Sequence, residues 1–402
     1  VARLSEVSDR RREQVGFWLY ASHLATIFSL STSNVLLGLT LLALPWTRRR
    51  PVPWAKLAPL WLFLGLYVLL LGGAIVASSE FGTSARGWTE VFNLSTLFAA
   101  PLLLRRERQV RRVADVLVGM AALLACHGLS QYLFGYGDID RRIRGPFSHY
   151  MTFSGFLLIC DLLLAASMVY GGRGRRRSLW RWGALAVINI ALLGSYTRNA
   201  WVALAVALTV LVVIRAPRLL LAYVPAAVMF VILAPVPLLH RVTSIVDLHD
   251  VSNYDRLCML DAGLTMIRER PLFGLGPDVV KHRYAIYRPP SAPRYNVPHL
   301  HNSPLQLAAE RGLPALGSYL GLTVAALALA WRRFRREGGR AGPRADLYIG
   351  ALLAILAFNV AGLFENNWGD AEVQRTALVA LAIPFCLEVA ERDEEGSATG
   401  DI

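Results

Sequence analysis

Cysteine is scarce in this chain and scattered. The four, Cys126, Cys160, Cys258 and Cys386, are widely separated, and all but Cys258 lie inside apolar stretches. Neither a disulfide framework nor a thiolate metal site is indicated, and these residues read as packing groups. The sequence also lacks a repeat of fixed period, a low-complexity tract and a second soluble domain, which argues against solenoid and modular architectures. No small-residue cleavage site follows the first long apolar stretch and another span comes at once, so that stretch is expected to stay as a helix rather than leave as a signal peptide.

What the chain has in abundance is apolar length. Its 402 residues are 55% hydrophobic with a mean hydropathy of +0.43. That is too apolar for an ordinary soluble protein and indicates an all-α polytopic membrane protein. A net charge of +14 and a pI near 10.1 would suggest nucleic acid in a soluble chain. Here the basic residues cluster between apolar stretches, so they read as topology signals and no nucleic-acid partner is expected.

A helix needs about 20 apolar residues to cross a bilayer core. That rule places spans near 15–30, 32–46, 57–77, 87–104, 112–134, 149–170, 179–195, 199–214, 218–239, 306–331, 346–364 and 371–390, twelve in all. The expected organisation is nine spans in 1–239, one large loop with short helices at 240–305, three spans in 306–390, and an acidic cytoplasmic tail, 391–402, read as disordered. With the amino terminus inside, 27 of the 42 basic residues fall in cytoplasmic segments. The remaining arginines oppose that bias. Most lie in the loops 135–148 and 240–305 and in the turn SYTRN at 195–199, where an external anion is the simplest reason for them.

Several residues there can carry chemistry. Arg198 lies between two apolar spans, so it needs an anion, an interfacial position, or an internal carboxylate such as Asp161. Arg256 stands on an amphipathic stretch where Asp255 and Asp261 offer solvated pairing as the alternative to ligand binding. Arg141, Arg142 and Arg144 precede a Gly-Pro turn and suit either phosphate oxygens or anionic lipid heads. In the run PHLHNSPLQLAAERG, His299 and His301 stand two apart where a loop enters an apolar segment, with Asn302 next and Glu310 nine residues on. A neutral imidazole there can take a proton near neutral pH. Glu310 either orients an imidazole or pairs with Arg311. Glu365 and Asp370 lie in the last external turn, where they orient His301, bind a sugar hydroxyl or simply face water. The HxH spacing lacks supporting ligands nearby in sequence, so no metal is expected.

Four segments carry a family resemblance. HLHNSPLQLAAERGLPAL, RERPLFGLGPDVV, LLGSYTRNAWVAL and RRIRGPFSHYMTFSG together resemble the O-antigen ligase and polymerase superfamily, bacterial inner-membrane glycosyltransferases that take glycan from undecaprenyl diphosphate. The resemblance implies a GT-C-like membrane fold with a periplasmic active site and no cofactor. It gives His301 as the catalytic residue and Arg198 and Arg256 as diphosphate-binding arginines. Arg142 or Arg144 aligns more loosely, and either Glu365 or Asp370 matches the family acid. The expected function is O-antigen ligase, with undecaprenyl-diphosphate-linked O-antigen as donor and lipid A-core as acceptor. O-antigen polymerase and protein O-oligosaccharyltransferase are the alternatives within the superfamily. A transporter is the alternative outside it, although no half-to-half similarity supports one.

Overall fold

A computed structural model describes residues 2–47, 54–135, 142–233, 239, 242–245, 247 and 250–399, and no β-strand occurs among them. Arg141, part of the loop expected at 240–305 and the end of the span expected at 218–239 lie outside the described residues. The helices are α1 (Ala2–Ala25), α2 (Leu30–Thr47), α3 (Ala58–Ala77), α4 (Phe81–Ser84), α5 (Trp88–Leu103), α6 (Glu107–Leu133), α7 (Tyr150–Tyr170) and α8 (Arg173–Arg176). They continue with α9 (Leu179–Gly194), α10 (Arg198–Arg215), α11 (Tyr223–Leu233), α12 (Val251–Glu269), α13 (Val280–Tyr287), α14 (Ser303–Arg311), α15 (Leu313–Arg336), α16 (Ala345–Gly362) and α17 (Ala371–Thr399).

Eight of these are long and apolar enough to cross a membrane: α2, α3, α6, α7, α10, α15, α16 and residues Ala371–Glu394 of α17. The protein is therefore multi-pass and all-α. The other expected spans are helical but differ for physical reasons. Helices α5 and α9 have 16 residues each, roughly 24 Å, less than a full hydrocarbon core. The first turns of α1 are charged. The stretch around 218–239 begins as a 3-10 segment, Pro217–Ala222, before α11.

Two expectations need correction. The span expected at 306–331 is two helices, α14 and α15, hinged at Gly312 with φ 85°. A side chain there would meet the Leu272 backbone within 2.0 Å, so only glycine allows the bend. The segment PLFGLG lies along this hinge: Leu275 N–H donates to Ala309 O at 2.9 Å, Gly276 N–H to Glu310 O at 2.9 Å and Leu313 N–H to Pro271 O at 2.8 Å. The first two satisfy carbonyls that the last turn of α14 leaves open, and the third satisfies an amide at the start of α15. The acidic tail is the second correction, because α17 stays helical to Thr399. Three of its acids are paired: Glu391 with Arg333 at 3.0 Å, Asp393 with Arg105 at 2.8 Å and Glu394 with Arg344 at 2.9 Å.

Helices α7 and α17 run through the centre, nearly all of their apolar length buried, while α3, α10 and α15 turn large side chains such as Leu62, Leu69, Val213 and Val324 outward, as a lipid-facing surface requires. A polar knot ties the periphery to this centre. Glu90 on α5 accepts from Arg311 at 3.0 and 2.6 Å, and also from the Tyr67 hydroxyl of α3 and the Trp368 indole. Arg311 in turn donates to Glu310 at 2.9 Å, and all three charges are buried.

Glu90→Ala should destabilise the detergent-solubilised protein by about 3–5 kcal/mol, because Arg311 would keep a single carboxylate, the Tyr67 hydroxyl would lose its acceptor and the Trp368 indole would keep only the Tyr67 oxygen. A thermal melt unchanged from wild type would remove this knot from the account of stability.

Candidate active site

The site gathers at one end of the bundle, where α7, α10 and α17 begin. His301 is the last but one residue before α14, whose N-cap is Asn302: its Oδ1 accepts from Leu305 N–H at 2.8 Å while its Nδ2 donates to Leu363 O at 2.9 Å. Asn302 thus starts the helix and ties it to the end of α16. Ser303 adds a second tie, donating to Glu365 O at 3.0 Å. His301 itself is held at φ 48°, a left-handed conformation that costs a non-glycine residue about 1–2 kcal/mol. Such strain persists where the surroundings fix it, as the two ties do here.

Glu365 faces both histidines. Its Oε2 lies 2.9 Å from His301 Nδ1 and its Oε1 3.4 Å from His299 Nε2. Burial alone would raise this carboxyl, but the bond from His301, the field of both imidazoles and the Asn366 N–H hold it at about 2. An ionised carboxylate only accepts hydrogen bonds, so His301 Nδ1 carries a proton and Nε2 presents its lone pair when the ring is neutral. His299 is pressed from 6.5 down to about 4, mainly by burial, with His301 adding to it and Glu365 only partly opposing.

The arginines converge beside His301. Arg198 is the first residue of α10, a position where the helix dipole disfavours a cation and favours an anion. It donates to Ser244 O at 2.8 Å and Ser244 Oγ at 3.0 Å, and pairs with Asp250 at 3.4 Å. Asp250 caps α12 through Ser252 and Asn253 N–H, and its carboxyl is held low, burial being outweighed by Arg198 and those amides. Asp161 is not the partner of Arg198; it accepts from Asn189 at 2.9 Å. Arg256 on α12 makes no hydrogen bond or ion pair with any described residue. Burial foremost and the nearby Arg198 lower its affinity for its proton, yet a guanidinium stays charged at physiological pH. The expected pairing with Asp255 does not form, because Asp255, itself buried, binds Arg294 at 2.8 Å. Arg142 lies over the Tyr150 ring at 4.6 Å.

Two cavities result, sharing His301, Tyr150, Met151 and Arg294 as their common wall. The smaller, about 190 Å³, also holds Arg142, Arg198, Arg256 and Asp255. The larger, about 610 Å³, also holds His299, Glu365, Asp370 and Glu372. Asp370 accepts from the Thr152 hydroxyl, and burial raises its carboxyl. Two expected site residues lie elsewhere. Arg144 is exposed and donates to Ser148 O at 3.1 Å, and Glu310 is committed to Arg311. Arg294, counted in the sequence only among external arginines, joins the site through the Pro-rich segment that delivers His299. Its signal was proximity, five residues from that histidine, in a loop with no other reason to be basic.

The third metal donor that the HxH pair lacked in sequence is supplied by the fold. Single ligand atoms of His299, His301 and Glu365 lie within 4.8 Å of one another. That donor set fits a cation such as zinc, but coordination would claim the same imidazole and carboxylate atoms that now bond each other.

The family model described as O-antigen ligase matches residues 182–320, about a third of the chain, which includes Arg198, Arg256, Arg294, His299 and His301. The match supports placing the chain in the O-antigen ligase and polymerase superfamily, and with it a catalytic role. None of the curated proteins matches the chain.

A group kept neutral by the fold subtracts stability as acid is added, since the unfolded chain binds the proton first. His299 should therefore make thermal stability fall as pH drops from 6.5 towards 4. His299→Gln should flatten that part of the profile, and an unchanged slope would show that another group titrates.

Proposed function

We propose that this protein is an O-antigen ligase, a metal-independent inverting glycosyltransferase. It moves glycan from undecaprenyl diphosphate to a sugar hydroxyl of lipid A-core. In this reading both termini are cytoplasmic and the cavities open on the periplasmic side of the bacterial inner membrane, capped by residues 240–305. The observation that carries it is the Arg256 guanidinium, which makes no hydrogen bond or ion pair with any described residue and with Arg198 lines a cavity that also holds His301. A charge kept partly out of water without a partner is poised for an anion, and a diphosphate supplies two.

The step needs few parts. His301 Nε2 takes the proton of the acceptor hydroxyl as its oxygen attacks the anomeric carbon. The bond from that carbon to the diphosphate oxygen breaks, and the electron pair leaves with undecaprenyl diphosphate. Arg198 and Arg256, with Arg142 beside them, meet the charge that grows on the leaving group. Glu365 keeps the imidazole in the reactive tautomer and stabilises the imidazolium that forms. A single displacement inverts the anomeric centre. Arg144 would touch this site only after its loop moved.

The test is transfer to purified lipid A-core by reconstituted protein with EDTA present. His301→Ala should lose about 10²–10⁴ of the rate, as removal of a general base does. Arg256→Ala should lower donor kcat/KM by roughly 10–100-fold, the loss of one charge-assisted contact. Loss of wild-type activity on chelation would replace the base by a metal at the same three residues. Longer glycan on the donor lipid instead of lipopolysaccharide would identify a polymerase.

A further inference from the structure

The two cavities that meet at His301 differ in charge. The smaller has four guanidinium groups against one carboxylate, Asp255, which lies 2.8 Å from Arg294 as an ion pair although neither of its oxygens receives a hydrogen bond. The larger has the carboxylates of Glu365, Asp370 and Glu372, with Arg294 as the one guanidinium among its described residues. Glu365 is spent on the histidines. Asp370 and Glu372 are not spent in this way. Asp370 Oδ2 holds the Thr152 hydroxyl, whereas the buried Asp370 Oδ1 receives no hydrogen bond. Asp370 and Glu372 hydrogen-bond each other, so the pair holds a proton between its carboxyls and keeps its remaining oxygens as acceptors. Neighbouring carboxyls with acceptor positions to spare, beside a cavity of about 610 Å³, suit a ligand rich in hydroxyl donors.

We infer that the larger cavity is the acceptor subsite, and that the sugar entering it is uncharged or amine-bearing, with Asp370 and Glu372 accepting hydrogen bonds from its hydroxyl or ammonium groups. This rests on the glycosyl-transfer reading above. The placement is consistent with the reaction: a hydroxyl arriving from this side meets His301, and the anomeric carbon waits across the shared wall with its diphosphate among the arginines. A phosphate or carboxylate on the reacting sugar would meet, among the described residues of this cavity, a single guanidinium, Arg294, which already lies against Asp255. The guanidinium groups beside His301 therefore serve the donor, while the acceptor side offers mainly hydrogen-bond acceptors.

The experiment uses reconstituted full-length protein, one diphosphate-linked donor, and two glycolipid acceptors that differ only in a phosphate on the terminal hexose. Kinetic constants for donor and acceptor are measured for wild type, Asp370→Asn and Glu372→Gln, with thermal melts alongside. Wild type should favour the unsubstituted hexose by about tenfold in kcat/KM, the scale of one lost charge-assisted contact. Each variant should raise the acceptor KM about tenfold, keep the donor KM within about twofold, and narrow that preference. Asp370→Asn keeps an acceptor for Thr152; if it still misfolds, Glu372→Gln decides. A wild-type preference for the phosphorylated hexose, or an acceptor KM unmoved by Glu372→Gln while transfer still needs His301, overturns the subsite alone. Transfer that is absent, or equal in His301→Ala, overturns the enzyme reading and this inference with it.

Discussion

The buried pair between Glu90 and Arg311 is the interaction on which the histidine segment depends. A charge at that depth is tolerated only with complete partners, and Glu90 has them from three elements at once: Tyr67, Trp368 and Arg311. The pair fixes the end of α14 against α5, and Trp368 brings the turn between α16 and α17 to the same point. Glu365 lies three residues before Trp368, and His301 two before α14. The contact between imidazole and carboxylate is thus set by a knot that neither residue joins. Replacing such a pair by apolar groups can preserve stability, so its value here lies in orientation, fixing which way each segment leaves the knot.

The hinge at Gly312 serves the same end. A continuous helix through 306–331 would carry the histidine segment onward along one axis. Breaking it lets the short α14 lie beside the PLFGLG turn, whose Leu275 and Gly276 amides complete its open carbonyls. The strain at His301 and the close backbone approach at Gly312 bracket this nine-residue helix, so the segment is held at both of its ends.

Much of this was legible from the residues themselves. Apolar length marked every long span, and arginines on the wrong side of the charge bias marked the site. Those signals are local, and the failures were of relations across the chain. Topology put Glu365 and Asp370 on the side of His301 and offered both as its orienter, but choosing Glu365, 64 residues away, took the fold, and nothing in sequence turns Asp255 from Arg256 towards Arg294. The tail looked disordered because its acids were counted alone; their arginine partners lie on other elements, at Arg105, Arg333 and Arg344. The split at Gly312 was hidden because apolar composition runs unbroken across it, while the cause is a backbone contact with Leu272.

Helix α17 has a consequence at both of its ends. It begins at the carboxylates beside the larger cavity, is buried throughout its apolar length, and finishes in ion pairs with three different elements. Sliding it along its axis by one turn, about 5.4 Å, would break those pairs and misalign its core at once. The helix therefore behaves as a fixed ruler across the bundle. The height at which Asp370 and Glu372 stand beside the larger cavity is set from the far end of the molecule, and a thinner or thicker bilayer would tilt the body as a whole rather than alter that height.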